Sequence, residues 1–352
     1  MRRILALLLV ACAALFALPA LALPVSARPA PLRVLYLDQS VGWKHAPVAR
    51  PADGGLAPSE TAMIALGQES GVFTAEVTQD AREITPERLA KVDVLVFYTT
   101  GALPLSPEAW AAVQQRVAAG KLGFVGLHSA TDTGWPYDGP GETYTRFING
   151  HFAGHPWTQG APIRVETLDP DQQLTAMWSV SFDYAEEIYQ HSDFDPSKVR
   201  VLQTLDFAGT APKRPYAVPI AWARQIGQGR LFFTNLGHTP STWNDPRFRD
   251  QIVAAVLWTG GRLDGDATPD PLRQFQWQLK ALLAYEPAPG RDDRAIIGRL
   301  LKMDPAWRTA TAQRIAGLRA VYPNKPDSDR APFDAAYRAV LADVLMRGGA
   351  SK

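Results

Sequence analysis

Short apolar runs alternate with helical patterns in the first half of the chain. The run Arg33-Val-Leu-Tyr-Leu-Asp38 is apolar at consecutive positions, which is typical of a strand buried on both faces. Ser106-Pro107 has the sequence of an N-cap followed by the first helical residue. The predicted strands cover 33–38, 73–77, 92–99 and 122–127, and the predicted helices cover 59–70, with Ser59 as N-cap, and 106–120. This alternation predicts an α/β fold with a doubly wound, mostly parallel sheet.

The second half begins with strands and ends with helices. Strands are predicted at 163–166, 199–205, 220–225 and 230–235, the last two as a hairpin, and a helix at 246–260. From residue 264 onwards apolar residues recur at helical spacing, and Asp270-Pro271 and Asp304-Pro305 provide helix starts. We therefore predict an α/β domain at 32–263 and a helical C-terminal region at 264–352. Amphipathic helices of this kind bury one face, either on the domain or in a homo-oligomer.

The first 22 residues have the pattern of a cleaved signal peptide. Arg2 and Arg3 precede an apolar run over 4–18, and Ala20-Leu21-Ala22 is a small-x-small cleavage site. The run is shorter than the roughly 20 residues that a membrane span needs. Cys12 lies in a lipobox-like sequence, but the chain continues apolar after it, which disfavours a lipoprotein. We therefore predict a signal peptide at 1–22, a Pro-rich tether at 23–31, and a periplasmic or secreted mature chain that leaves the membrane.

Composition and charge exclude several classes of protein. Lys and Arg total 36 against 35 Asp and Glu, so the chain has no electrostatic footprint for nucleic acid. Its single Cys excludes a disulfide framework, a Cys-ligated zinc site and a C-x-x-C-H haem site. The sequence contains neither GxGxxG nor GxxxxGK[ST], and we expect no nucleotide, flavin or haem. An enzyme or a small-ligand-binding protein remains.

Three histidines follow separate predicted strands. His45 comes after the first strand, His128 after the fourth and His238 after the last. Because ligands bind beyond the carboxyl ends of the strands in open α/β sheets, we expect these histidines to converge. Carboxylates in the neighbouring segments are Asp132, Asp183, Glu186 and Glu187. Glu186 and Glu187 are adjacent and therefore point apart, so one of them at most faces the cleft. Histidines with a carboxylate are a familiar catalytic metal arrangement, which suggests a divalent ion such as zinc.

The segment Gly126-Leu-His-Ser-Ala130 has the shape of a strand–turn–helix elbow. In hydrolases with G-x-S-x-G the central residue is a strained nucleophile, and His128 takes that position here. Ser129 is one position late, and the mature chain has no Cys. An acyl-enzyme mechanism is therefore disfavoured, and His128 is a candidate metal ligand, general base or oxyanion donor.

Aromatic residues crowd the same segments and allow two interpretations. Sugars stack on such rings, but large aromatics also bury well in any core. The residues are Trp43, Trp135, Tyr137, Tyr144, Trp157, Tyr189 and Trp243.

Taken together, these motifs resemble the ThuA-like (trehalose utilisation) family over about residues 33–261. The matching segments are Trp43–His45, Phe124–Thr133, Gly150–Pro156, Glu186–Tyr189, Pro219–Trp222, Gly229–His238 and Trp243–Phe248. The resemblance implies a flavodoxin-type fold similar to class I glutamine amidotransferases but without their nucleophile, and a role in glycoside or keto-sugar breakdown. The resemblance also implies, motif by motif, that five residues of this chain belong to the functional site: His45, His128, His155, Glu187 and His238. Glu186 stands where the family usually has Asp.

We therefore predict an exported enzyme that acts on a glycoside or keto-glycoside by metal-assisted or His/Glu acid–base chemistry. The predicted catalytic residues are His128, Glu187 and His238; the substrate-binding residues are Trp43, His45, Asp132 and Trp243; the metal ligands are His128, His155 and His238. The expected partner is a small carbohydrate. A non-catalytic carbohydrate-binding or sensing module on the same scaffold is the alternative, and ester or amide hydrolysis through Ser129 is a third hypothesis.

Overall fold

A computed structural model describes residues 29–134, 140–321 and 331–349. The predicted signal peptide, residues 23–28 of the tether, Trp135 and Tyr137 lie outside these ranges, so export stays a prediction. Within these ranges no helix combines the length and the apolar character needed to cross a membrane.

In the described part of the chain, nine strands form one sheet and two short strands form a separate pair. The sheet has the order β2-β1-β3-β4-β11-β10-β9-β6-β7, and β5 pairs with β8. The strands are Leu32–Leu37 (β1), Phe73–Thr78 (β2), Val94–Phe97 (β3), Gly123–Leu127 (β4), His151–Phe152 (β5), Pro162–Thr167 (β6), Ser181–Ala185 (β7), His191–Ser192 (β8), Arg200–Leu205 (β9), Pro219–Ile226 (β10) and Gly229–Thr234 (β11).

The strand directions confirm the doubly wound, mostly parallel sheet. Strands β2, β1, β3, β4 and β11 are mutually parallel. The pairings β11–β10, β10–β9, β9–β6 and β6–β7 are antiparallel, so β9 and β7 again run with the first five. The order β2-β1-β3-β4-β11 is the 2-1-3-4-5 order of flavodoxin-like folds, whose order reverses between β1 and β3.

Helices cover both faces of this sheet. Helices α1 and α5 pack with Val34 and Tyr36 of β1, whereas α3 and α4 pack with the alternate residues Leu35 and Leu37. The helices are Pro58–Ser70 (α1), Pro86–Leu89 (α2), Pro107–Ala118 (α3), Pro140–Ile148 (α4), Pro246–Thr259 (α5), Pro271–Tyr285 (α6), Asp293–Leu300 (α7), Pro305–Val321 (α8) and Ala331–Gly348 (α9). The alternation along β1 explains its continuous apolar run, because each face contacts a helix layer.

The predicted helix caps are right except at α1. The Ser106 side chain accepts a hydrogen bond from Ala109 N at 3.1 Å, as an N-cap should. Ser59 is not the N-cap of α1: the helix begins at Pro58, and the Glu60 carboxylate accepts from Ala57 N at 2.7 Å. Proline presets the backbone at the first helical position, so it moves the start of the helix one residue earlier.

The C-terminal helices α6 to α9 share an apolar core. Tyr216, from the connection between β9 and β10, belongs to this core. Its other members include Phe275, Leu279, Leu282, Ile315, Leu318, Tyr337, Val340 and Val344. Trp277 of α6 packs instead with the core of the sheet. The described residues of this region are helical, as predicted, while the domain division at residue 264 and oligomerisation remain predictions.

Candidate functional site

Three histidine rings meet at the carboxyl edge of the sheet. His45 follows β1, His128 follows β4 and His238 follows β11. Their ring centroids are 4.9 Å apart for His45 and His128, 5.1 Å for His45 and His238, and 4.9 Å for His128 and His238. Parallel strands bring loop tips together at this edge. Glu187 joins the group from the segment between β7 and β8.

His128 occupies the predicted elbow in a strained conformation. Its φ is 42°, in the left-handed region that β-carbon-bearing residues rarely adopt. This costs on the order of 1 kcal/mol or more and is found mainly at functional sites. The His128 Nδ1 lies 2.8 Å from the backbone oxygen of Asn235. Because a carbonyl only accepts, Nδ1 carries the proton and Nε2 keeps a lone pair.

The lone pair of His128 points into a tight group of donor atoms. His128 Nε2 lies 3.0 Å from His238 Nδ1. Glu187 Oε1 lies 3.1 Å from His238 Nδ1 and 3.6 Å from His128 Nε2. Four ligand atoms, from His45, His128, Glu187 and His238, lie within 4.8 Å of one another. In a tetrahedral zinc site with ligand bonds of about 2.0–2.1 Å, neighbouring ligand atoms are about 3.3 Å apart. The donor set and its spacing therefore fit a divalent ion.

His45 has one nitrogen free for such an ion. Its Nε2 lies 3.1 Å from the hydroxyl of Tyr189. Its Nδ1 is buried and has no hydrogen-bond partner among the described residues. Burial, together with the charges of His128 and His238, lowers the pKa of His45 to about 2. His45 is therefore neutral near pH 7, which is the form that binds metal and not a form that delivers a proton.

The two adjacent glutamates point in different directions, as predicted. Glu187 faces the histidines; burial alone would raise its pKa, but hydrogen bonds and the charges of His128 and His238 hold the pKa well below its usual range. Glu186 is buried, which raises its pKa, and accepts hydrogen bonds from Thr242 Oγ1 at 2.5 Å and Gly237 N at 3.3 Å. Glu186 therefore holds the loop that carries His238.

More exposed residues lie around the cluster. The His155 side chain is 47% exposed, and its Nδ1 lies 3.5 Å from Glu187 Oε2. The predicted metal set contained His155, whereas the four-residue cluster contains His45 in its place. Trp43 is 73% exposed, two residues before His45, and its backbone oxygen accepts from Thr100 Oγ1 at 2.8 Å. Asp132 is partly buried, which raises its pKa to about 6.

The structure places other predicted residues away from the site opening. Trp243 is 1% exposed, donates to Gly237 O at 3.0 Å and stacks on Tyr98. A ring with no exposed face cannot serve as a sugar platform, so we assign Trp243 to the core. Tyr144 and Trp157 are also buried. Asp183 pairs with Arg164 at 2.8 Å on strands β7 and β6.

Ser129 is not activated as a nucleophile in this arrangement. It is 1% exposed, and its Oγ has no hydrogen-bond partner in the part of the chain described. A serine nucleophile needs an adjacent base to take its proton. The hypothesis of ester or amide hydrolysis through Ser129 therefore gains no support.

Asn235 organises the site, and the sequence interpretation did not select it. Its Oδ1 accepts from Tyr189 N at 3.0 Å, and its Nδ2 donates to Tyr189 O at 2.8 Å. Its backbone oxygen orients His128. Asn235 thus connects the end of β11 to the segment that carries Glu187. The signal in the sequence was an amide side chain directly after a buried strand, three residues before His238.

The free energy of unfolding should depend on pH through the partly buried carboxyl of Asp132. Burial raises its pKa to about 6, so the stability that the protonated carboxyl gives the folded chain is fully present below about pH 4 and is lost as pH rises through 6. At pH 7, Asp132→Asn should unfold with a free energy about 1–2 kcal/mol larger than that of the unchanged chain, after allowance for partial exposure. Urea unfolding at pH 4 and pH 7, with chelator present, measures this. A difference that is the same at both pH values would contradict it.

The fold and much of the sequence pattern are shared with known proteins. The family model described as "ThuA: Trehalose utilisation" matches residues 33–259. A ThuA-like protein from Bacteroides uniformis is 22% identical, with a TM-score of 0.52 over 67% of this chain and 95% of its own. A ThuA-like protein from Parabacteroides merdae is 15% identical, with a TM-score of 0.50 over 67% of this chain and 92% of its own. None of the curated proteins matches the chain. At these identities the two structures show the fold alone.

Proposed function

Since this chain belongs to the ThuA (trehalose utilisation) family, we propose that it is an exported enzyme that processes a glycoside or keto-glycoside. The family supports a carbohydrate-related role. The observation that carries the proposal is the convergence of His128 Nε2, His238 Nδ1 and Glu187 Oε1 within 3.0–3.6 Å. Buried polar groups are not gathered in this way for stability alone, because their desolvation has a cost.

A divalent metal ion is the group that this cluster fits best. Imidazole nitrogens and a carboxylate suit zinc and similar ions. His128, His238 and Glu187 would hold it, with His45 Nδ1 as the fourth donor. A metal held there would supply Lewis-acid polarisation of a carbonyl or hydroxyl oxygen of the sugar.

The protein groups around the cluster have separate tasks in this proposal. The Asn235 carbonyl keeps the His128 lone pair on Nε2. Glu187 is held ionised by its histidine partners, which makes it a good ligand and a weak base, since a general base works best with a pKa near the working pH. His155, half-exposed and 3.5 Å from Glu187 Oε2, is therefore the better placed proton carrier.

Acid–base chemistry without metal is the second candidate. It is favoured by the distance of 3.1 Å between His238 Nδ1 and Glu187 Oε1. In this version Glu187 orients the His238 imidazole, which exchanges a proton with the sugar. The same residues are required, so the requirement for a metal separates the two versions.

The surroundings suit a sugar as substrate. The exposed indole of Trp43 offers an apolar face at the outer end of the loop that carries His45. The Asp132 carboxylate offers hydrogen bonds to hydroxyl groups. The sequence predicts Trp43 and Asp132 as substrate-binding residues, and we propose the same role for them here.

An activity screen of the purified mature chain tests this function. The chain is incubated with glycosides and their keto derivatives, with chelator and with added Zn²⁺ or Mn²⁺, and products are followed by NMR. We expect turnover of at least one sugar, strongest with metal. Binding of a sugar without turnover in any condition would support the non-catalytic module and overturn the enzyme.

Export is part of the proposal and has its own test. We expect the mature chain to begin near Leu23 or Arg28, because Ala20-Leu21-Ala22 and Val25-Ser26-Ala27 are both acceptable cleavage sites. Intact mass of periplasmic material measures the start. A lipid-modified Cys12, or a full-length chain that stays in the cytoplasm, would contradict this expectation.

A further inference from the structure

A buried arginine of the C-terminal helices lies next to the segment that builds the site. Arg319, in the last turn of α8, is 7% exposed. Its guanidinium lies 4.5 Å from the ring centre of Tyr216 and 5.3 Å from that of Phe194. It also donates from Nη2 to the backbone oxygen of Ala217. Helix α8 lies beyond residues 33–259, which the family model matches.

Arg319 has an unusual environment for a buried cation. Its Nε and Nη1 are buried and have no hydrogen-bond partner among the described residues, and no carboxylate there pairs with it. Buried charges are normally paired, because removing them from water is costly. Its cationic head is held by the faces of two aromatic rings and one carbonyl, so its position is closely tied to that of Tyr216.

Tyr216 passes this constraint to the segment between β7 and β8. Its hydroxyl donates to Gln190 Oε1 at 3.1 Å. Gln190 is 1% exposed, and its Nε2 donates to the backbone oxygen of Ala153. Gln190 N donates to Gly154 O at 2.9 Å, and Ala153 N donates to Gln190 O at 2.9 Å. Gln190 therefore fixes the backbone immediately before His155.

The same glutamine directly follows Tyr189, which contacts the histidine cluster. The Tyr189 hydroxyl lies 3.1 Å from His45 Nε2, and its ring centre lies 4.5 Å from that of His128. A continuous set of contacts thus runs from Arg319 through Tyr216 and Gln190 to Tyr189 and to the backbone of Ala153 and Gly154.

We propose that Arg319 and Tyr216 are positioning residues, through which the C-terminal helices set the geometry of the histidine site. The proposal is tested by Zn²⁺ affinity, which rests on the proposed function, and by the placement of the histidine rings, which is measurable without metal. Arg319 touches none of the reacting groups; it acts through Tyr216, and Tyr216 acts through Gln190.

Two Tyr→Phe variants of the full chain test this proposal. Tyr216→Phe removes the hydroxyl that reaches Gln190 and keeps the ring under Arg319. The matched control is Tyr337→Phe, which removes a buried hydroxyl bonded to Leu282 O at 3.2 Å within the helical region. Both variants remove a buried tyrosine hydroxyl from a hydrogen bond, and Tyr216→Phe also removes the interaction of that hydroxyl with Arg214, so unfolding by urea is measured for both. Arg319→Met is the third variant, and in the Tyr216→Phe background it should have no further effect, because Arg319 acts on the site through the Tyr216 hydroxyl.

Two readouts are used: Zn²⁺ affinity by competition with a chromophoric chelator, and the ¹⁵N ring shifts of the histidines in metal-free protein. We expect Tyr216→Phe to weaken Zn²⁺ binding about three- to tenfold, below the roughly 10–100-fold typical of groups bonded directly to a ligand. It should also shift the His45 and His155 signals, while Tyr337→Phe changes neither readout.

Equal effects of the two Tyr→Phe variants on both readouts would overturn the proposal and leave Arg319 a packing residue. If the unchanged chain binds no Zn²⁺, the metal version of the proposed function fails, and the ring shifts alone decide the positioning role. Unchanged His45 and His155 signals in Tyr216→Phe would then overturn it.

Discussion

Replacement of His128 by asparagine should remove turnover of the sugar and leave its binding almost unchanged. We expect kcat to fall about 10²–10⁴-fold, the usual contribution of a group that moves a proton or holds the reacting centre. Asparagine is the better replacement, because it tolerates the left-handed backbone that His128 adopts with φ of 42°. Steady-state kinetics and sugar titration by calorimetry measure the two quantities.

His151→Gln is the matched control for this variant. His151 lies on β5, is partly exposed and does not belong to the four-residue cluster. It should change kcat by less than about threefold, as is usual for substitutions away from special features. Equal losses in the two variants, or unchanged kcat in His128→Asn, would contradict the role assigned to His128.

Glu187→Gln should weaken metal binding at least about a hundredfold, since it removes a charged ligand and places an amide beside His238 Nδ1. The adjacent Glu186→Gln is the control, because that carboxyl faces Thr242 and Gly237 and not the histidines. It should weaken the affinity about tenfold at most, because it loosens the loop that carries His238 and removes no ligand. Competition titration with Zn²⁺ measures both.

The two glutamine variants also separate the metal version from the metal-free version. If turnover needs no metal, Glu187→Gln should lower kcat with chelator present, because the partner of His238 is lost. If turnover needs metal, the loss in Glu187→Gln should be partly reversed by high metal concentration. Equal metal affinity in Glu186→Gln and Glu187→Gln would contradict the assigned ligand set.

Much of the fold could be predicted, because local patterns of apolar residues in the sequence indicate the strands and helices. Val34 and Tyr36 face one helix layer and Leu35 and Leu37 face the other, so an unbroken apolar run correctly predicted a central parallel strand. Strand β7 was missed, because it lies at the sheet edge with three of its five residues exposed and lacks that run. The N-cap of α1 was placed wrongly because Pro58 competes with Ser59 for the start of the helix.

The convergence of His45, His128 and His238 could also be predicted, since it follows from topology alone. The sequence could not show that the tight cluster contains His45 and not the predicted His155. That difference depends on how the loops after the strands orient their side chains. His45 is buried by packing beside Tyr98 and Tyr189, whereas His155 stays half-exposed. Trp243 shows the same limit: the loop after β11 turns its indole inward, where it donates to Gly237 O and stacks on Tyr98 of a distant segment.

Asn235 and Arg319 mark what the sequence did not reveal. Asn235 acts through its backbone oxygen and through bonds to the backbone of Tyr189, 46 residues away. Arg319 reaches Ala217 across 102 residues. Asn235 lies within the matching segment Gly229–His238, but its role depends on contacts with a distant segment, and so does that of Arg319, which lies outside every matching segment.

The metal site can be seen directly by locating the ion in crystals of the mature chain. Crystals of the mature chain, grown with one equivalent of Zn²⁺ and measured at wavelengths on either side of the zinc edge, reveal the ion by its anomalous signal. We predict one ion bonded to His128 Nε2, His238 Nδ1, Glu187 and His45 Nδ1 at about 2.0–2.2 Å, with a fifth position open to substrate. An ion bound elsewhere with this cluster empty, or no ion at saturating Zn²⁺, would contradict the metal site.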